Sequence, residues 1–155
     1  MQYISRNLDA TLDLGDILGR VAQPGDVYCL LGELGAGKTS LAQGIAAGLG
    51  IIETINSPTF TLIHEYQGRL PFYHMDLYRM ACVEEGEELG LQEYFWGKGL
   101  CVVEWPQIAA ELLPRDVLQV DISDQLGARL IELTGHGTRS RQIIEEVDKI
   151  VAVKY

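Results

Sequence analysis

Residues 27–49, VYCLLGELGAGKTSLAQGIAAGL, constrain the fold more than any other stretch of the chain. Val27 to Leu31 is an apolar run bounded by turn residues and too short for a helix, which predicts a buried strand of the kind that fills parallel sheets. Glycines follow at 32, 35 and 37, and Lys38 to Leu49 then reads as a helix that Gly50 stops. Gly32 through Thr39 satisfies G-x-x-x-x-G-K-[ST] without a mismatch. The glycines permit positive φ and a close approach of backbone to ligand, so that successive N–H groups point at phosphate oxygens, and the following helix adds its positive end. Lys38 is expected to reach the β and γ oxygens of a nucleotide, and the Thr39 hydroxyl to take one position on an octahedral Mg²⁺. Glu33, Leu34, Gly35, Ala36, Gly37 and Ser40 make up the rest of the expected nucleotide contacts, Glu33 being either a solvated spacer or a group that orders water near the γ-phosphate. A glycine-rich turn without a ligand is the alternative, and the strand before and helix after weigh against it.

A phosphate cradle needs a carboxylate at the end of a neighbouring strand. Glu104 closes the apolar run Leu100-Cys101-Val102-Val103, at the edge where open α/β sheets bind ligands, and is the expected metal carboxylate. Asp76 ends Pro71-Phe72-Tyr73-His74-Met75. If that run is extended, His74, Asp76 and Tyr78 share a face, and His74 is expected to orient Asp76 or to steer water with it. A structural His–Asp hydrogen bond is the alternative. Ser57-Pro58-Thr59 has the turn chemistry of a switch loop whose hydroxyl senses the γ-phosphate, or of a simple capped turn. Trp105, beside Glu104, is read as a base-stacking or partner surface, or as a cap on the core. Arg79 is expected to meet phosphate, a carboxylate of another chain, or a surface partner. The guanine-reading Asn/Thr-Lys-x-Asp motif is missing, which favours ATP.

The remaining pattern is α/β within a single domain spanning 1–155. Leu12, Leu14, Ile17, Leu18 and Val21 recur at helical spacing. TFTLIHEY and LPFYHMDLY around Gln67-Gly68-Arg69 read as a hairpin, residues 82–96 as an acidic helix, and PQIAAELL as a helix opened by Pro106. DVLQVDI and ARLIEL form a second antiparallel pair, and residues 139–151 a closing amphipathic helix. The 22 acids against 12 bases give a net charge of −10, which argues against autonomous nucleic-acid binding and for a basic partner. The acidic run Glu84, Glu85, Glu87 and Glu88 either steers docking or is a solvated helix face. Cys29 and Cys101 lie in apolar runs and no C-x-x-C pair occurs, so buried reduced thiols and a cytoplasmic setting are expected. No apolar run approaches the ~20 residues needed to span a bilayer.

GELGAGKTS, SPTFTLIHEY, FYHMDLYR and VVEWP, in this order and spacing, resemble the TsaE family of small bacterial P-loop ATPases, which serves synthesis of threonylcarbamoyladenosine (t6A) in tRNA. The resemblance runs from the N-terminal helix to about Leu133 and is weakest beyond Gly137. It implies a P-loop NTPase fold, a mixed parallel and antiparallel sheet flanked by helices, and a cytoplasmic Mg²⁺-dependent ATPase that joins the TsaB–TsaD pair, meets tRNA only through those partners, and supports repeated transfer cycles. By position it puts Lys38 and Thr39 in the phosphate and Mg²⁺ roles, Glu104 in the metal role, Asp76 among the nucleotide-site acids, Thr59 in the switch-like segment and Trp105 in the E-W pair. A small-molecule or nucleoside kinase and a nucleotide-gated binding module without turnover are the competing classes; no Arg-rich lid favours the kinase.

Overall fold

The computed structural model describes residues 1–33, 35–58 and 62–154. Its strands are β1 (Gln2–Ser5), β2 (Val27–Leu31), β3 (Ile63–Gln67), β4 (Pro71–Asp76), β5 (Leu100–Glu104), β6 (Leu118–Gln125) and β7 (Ala128–Gly135). They form one seven-stranded sheet in the order β1-β7-β6-β2-β5-β4-β3. The four middle strands β6, β2, β5 and β4 run parallel, while β1, β7 and β3 are antiparallel to their neighbours. The helices are α1 (Leu8–Val21), α2 (Lys38–Gly48), α3 (Val83–Glu88), α4 (Leu91–Phe95), a 3₁₀ helix (Pro106–Leu112) and α5 (Thr138–Lys154).

Alternation along β2 builds both faces of the sheet. Tyr28 and Leu30 join Phe72, Val102 and Val120 against Leu14 and Leu18 of α1 and Leu41 and Ile45 of α2. Val27 and Cys29 join Met75 and Val103 against Leu91, Phe95, Ala109 and Leu112. Cover on both faces explains why β2 and β5 read as unbroken apolar runs. Cys29 and Cys101 are free and buried, and burial pushes both thiols up to about 12.

Helices α1 and α2 touch through glycine. Gly15 and Gly19 of α1 face Gly44 and Gly48 of α2, and a Cβ on Gly15 would stand 2.6 Å from Leu41 O and 2.8 Å from Gly44 Cα. A Cβ on Gly44 would likewise stand 2.6 Å from Leu12 O. Backbone cannot yield as a flexible side chain does, so Gly15→Ala is expected to destabilise the chain by about 2 kcal/mol, the middle of the overpacking range. Thermal unfolding checks this; an unchanged midpoint contradicts the close contact.

Helix α5 is fastened by residues distant in sequence. Asp116 accepts hydrogen bonds from Arg139 N (2.8 Å) and Ser140 N (3.0 Å), which satisfies donors of the first turn. Arg139 in turn donates to both oxygens of Asp26, from Nε at 3.1 Å and Nη2 at 3.0 Å, and to Val21 O at 2.9 Å. Burial pushes the Asp116 carboxyl up, but its hydrogen bonds with Ser140 and Arg139 outweigh burial and hold it below its ordinary value. A carboxyl lowered by folding binds fewer protons in the native state, so its contribution is complete above about pH 4, the unfolded value, and fades as pH falls through the lower native one. Asp116→Ala is therefore expected to cost about 1 kcal/mol at pH 7, and less than that near pH 3. Denaturant titrations at both pH values check it; equal losses at the two pH values contradict the assignment.

The structure departs from the sequence reading at several elements. Residues 82–96 are not one helix, because Gly90 adopts φ 72° and separates α3 from α4. The segment after Pro106 is 3₁₀ with a break at Ala109. Helix α5 extends from Thr138 to Lys154, beyond the expected 139–151. Strand β1, paired with β7, was not expected. Both expected antiparallel pairings occur, but β3 begins only at Ile63, Thr59 to Thr61 of the expected strand lie outside the described residues, and β6 runs on through Asp124 and Gln125 of the expected turn, leaving Leu126 and Gly127 at φ 49° and 85°, the left-handed pair that two-residue hairpins favour. Among the described residues no helix is long and apolar enough to cross a membrane.

Candidate active site

The parallel strands β2, β5 and β4 end at one edge, and the loop that follows β2 turns there into α2. Gly35 and Gly37 adopt φ 81° and 110°, where a side chain would be strained, and a Cβ on either would meet nothing within 4 Å. Gly32 is needed for another reason, since a Cβ there would lie 2.7 Å from Ile122 O. Helix α2 begins at Lys38 without a side-chain cap, so its first-turn N–H groups have no intrahelical acceptor.

Lys38, 5% exposed, lies at the floor of this edge. Its ammonium donates to Gly32 O, reaches Glu33 O at 3.5 Å, and sits 3.9 Å from the centroid of the Trp105 ring. Burial pushes the ammonium below its ordinary value, and the carboxylates of Glu104 and Asp76 offset part of that. A cation so held, with backbone carbonyls and a ring face as its partners, gains from an arriving phosphate.

Asp76 and Glu104 stand side by side because β4 and β5 pair in parallel with these two residues in register. Asp76 Oδ1 accepts from Tyr78 N at 3.1 Å, and Ser57 Oγ donates to Oδ2 at 3.5 Å. Asp76 N also donates to Leu62 O at 2.9 Å, so the end of β4 holds Leu62 as well as Ser57. Glu104, 3% exposed, accepts a 2.6 Å hydrogen bond on Oε2 from His74 Nε2. Trp105 follows with φ 55° and ψ 56°, a left-handed conformation that costs a non-glycine residue about 1–2 kcal/mol. That backbone turn lays its ring over Lys38 and 5.0 Å from the Tyr78 ring.

These groups line one cleft of about 460 Å³, with Thr39 and Ser40 on its α2 wall and Arg79 at its rim, a volume within the range of small-molecule sites. Open left-handed glycines, an uncapped helix start and a buried ammonium fit the phosphates of a nucleotide. Thr39, Asp76 and Glu104 supply hard oxygen donors. Among the described residues no cluster of three His, Cys, Asp or Glu side chains is arranged to hold a metal.

The TsaE family, described as threonylcarbamoyl adenosine biosynthesis protein TsaE, matches residues 5–131. The chain belongs to the TsaE family. It is similar to the tRNA threonylcarbamoyladenosine biosynthesis protein TsaE of Bacillus subtilis strain 168, 47% identical over 152 residues, 96% of this chain and 94% of that one. The TsaE of Treponema pallidum strain Nichols is 44% identical over 122 residues, 79% of this chain and 90% of that one. Among solved structures the crystal structure of Bacillus subtilis YdiB superposes with a TM-score of 0.86 at 40% identity, covering 96% of this chain and 94% of that one.

In this TsaE-family chain Lys38, Thr39, Asp76, Glu104 and Trp105 line one cleft, together with Gly35, Gly37 and Ser40. Glu33 and Ala36 do not. The Glu33 side chain is exposed beside a separate groove shared with Ser123, Asp124 and Arg129, while the Ala36 methyl is buried and its amide donates to Glu33 O at 3.0 Å to close the turn. Leu34 and Thr59 lie outside the described residues. His74 is bonded to Glu104 and not to Asp76, which corrects the expected His74–Asp76 pair. The alternation of H-x-D on β4 beside a strand ending in Glu was the available signal, but only the parallel register shows which carboxylate the ring faces. Tyr78, half exposed with its ring tilted against that of Trp105, is a further wall of the cleft that the sequence reading does not assign.

Proposed function

We propose that the chain is the Mg²⁺-dependent ATPase of t6A synthesis, working in association with a TsaB–TsaD pair. The convergence of Lys38 with Asp76 and Glu104 from adjacent parallel strands carries this reading, and membership of the TsaE family names the process. The open loop at Gly35 and Gly37 and the start of α2 hold the phosphates, and Lys38 leaves its carbonyl and ring partners for the β and γ oxygens. Mg²⁺, when bound, would neutralise charge on those oxygens; Thr39 and Glu104 are the residues that would hold it. Asp76 orients water and ties Ser57 to the occupied site. Trp105 and Tyr78 close the side away from α2. A net charge of −10 leaves tRNA to the partners and suits docking on a basic protein surface. The chain is proposed to act in the cytoplasm, as a single domain.

The test is phosphate release from ATP and Mg²⁺ by the purified chain, alone and with the TsaB–TsaD pair. Stimulation of at least tenfold by the pair is expected. An unchanged rate, or product that scales with an added small-molecule acceptor, contradicts the proposal.

A further inference from the structure

His74 is a buried imidazole that the proposed chemistry leaves without a task. It is fully buried, its ring stands 6.0 Å from that of Phe72, and its β5 register neighbour is Val102, in the layer between sheet and helices. A polar ring in that layer is costly unless its hydrogen bonds are made. Only one is made. Nε2 lies 2.6 Å from Glu104 Oε2, while Nδ1 is sealed from solvent with no partner among the described residues. An unpaired N–H costs more when buried than an unpaired lone pair, so the ring's proton belongs on Nε2, where it is donated to the carboxylate. Glu104 Oε1 has no such bond among the described residues and is not sealed as Nδ1 is, and Glu104 lines the cleft.

We infer that His74 is the positioning residue for Glu104: its Nε2–H fixes the carboxylate rotamer and occupies Oε2, so that Glu104 presents Oε1 alone to the metal of the nucleotide complex. The inference rests on the proposed metal role of Glu104. A free carboxylate at a strand end has several rotamers and can turn either oxygen, or both, toward a cation. The buried bond removes that choice before ligand arrives. Partners of this kind, one bond behind a metal ligand, typically change metal affinity by about 10–100-fold when removed.

The experiment uses Mn²⁺ as probe, titrated into the full chain saturated with ADP and followed by electron paramagnetic resonance. ADP affinity in EDTA and the thermal midpoint are measured alongside. Against wild type, His74→Leu is expected to weaken Mn²⁺ by at least about tenfold while ADP affinity in EDTA stays within about twofold. His74→Gln, whose amide N–H stands near the position of Nε2, is expected to restore most of the loss. In a Glu104→Ala background, His74→Leu is expected to add nothing, since it acts through that carboxylate. If His74→Leu does not fold, His74→Phe, which keeps a ring beside Phe72, carries the same comparison. Wild-type Mn²⁺ affinity in the folded His74 variant, with Glu104→Ala weakened, overturns the inference alone. Equal losses in His74→Gln and His74→Leu, or additive effects in the double variant, also overturn it. Unchanged Mn²⁺ affinity in Glu104→Ala overturns the metal role of Glu104 and the inference with it.

Discussion

Lys38→Ala is expected to weaken ATP binding by at least about 100-fold, the loss of nearly 3 kcal/mol that follows when a charge-assisted hydrogen bond to phosphate is removed. The ammonium is the one basic group at the cleft floor among the described residues, desolvated and held between Gly32 O, Glu33 O and the Trp105 ring. Arg79 lies at the rim of the same cleft, but as a guanidinium at the margin it does not replace a point charge beneath the phosphates. The packing face of α2, Leu41, Ala42 and Ile45, is untouched by the substitution, so helicity should be preserved. Calorimetric titration of ATP into both proteins checks this. Comparable affinities would remove Lys38 from the phosphate role.

Glu104→Gln is expected to separate binding from turnover. Nucleotide affinity in EDTA should stay within a few-fold of wild type, and the proposed partner-stimulated hydrolysis should fall by about 100-fold or more, because in its proposed metal role the carboxylate acts on charge that develops in the transition state. Glutamine is the informative choice, since its carbonyl can still accept the hydrogen bond from His74 Nε2. Alanine would leave that donor buried and unpaired, which costs about 1–3 kcal/mol of stability, so an alanine variant is read only with its thermal midpoint beside it. Single-turnover phosphate release with the TsaB–TsaD pair is the measurement. A rate within tenfold of wild type would take Glu104 out of the reacting centre.

The phosphate edge was legible in the sequence because its parts are local. Val27 to Lys38 announces strand, loop and helix by spacing alone, and Glu104 follows from an apolar run that ends in a carboxylate. What sequence could not yield depends on register and on contacts between distant segments. The His74–Glu104 bond needs β4 beside β5 in parallel, whereas the sequence neighbour Asp76 was the natural partner to expect. Strand β1 is four residues long, with only Tyr3 and Ser5 facing inward, too brief a pattern to register without its partner β7. Asp116 starts α5 from a loop 23 residues away, and the glycine contact between α1 and α2 becomes visible only when two helices are laid together. The break at Gly90 was overlooked because helical acids continue on both sides of it.

The central claim is that ATP occupies the cleft between Lys38 and Trp105, and fluorescence of Trp105 tests it most directly. The chain has two tryptophans, and Trp96 is exposed in a different groove, beside Pro24 and Pro114, so Trp96→Phe leaves a single reporter. Titrating ATP with Mg²⁺ should produce a saturable change with one site per chain as Lys38 leaves the ring, and Lys38→Ala should abolish it. Calorimetrically detected ATP binding that leaves Trp105 emission unchanged would place the nucleotide elsewhere and contradict the account.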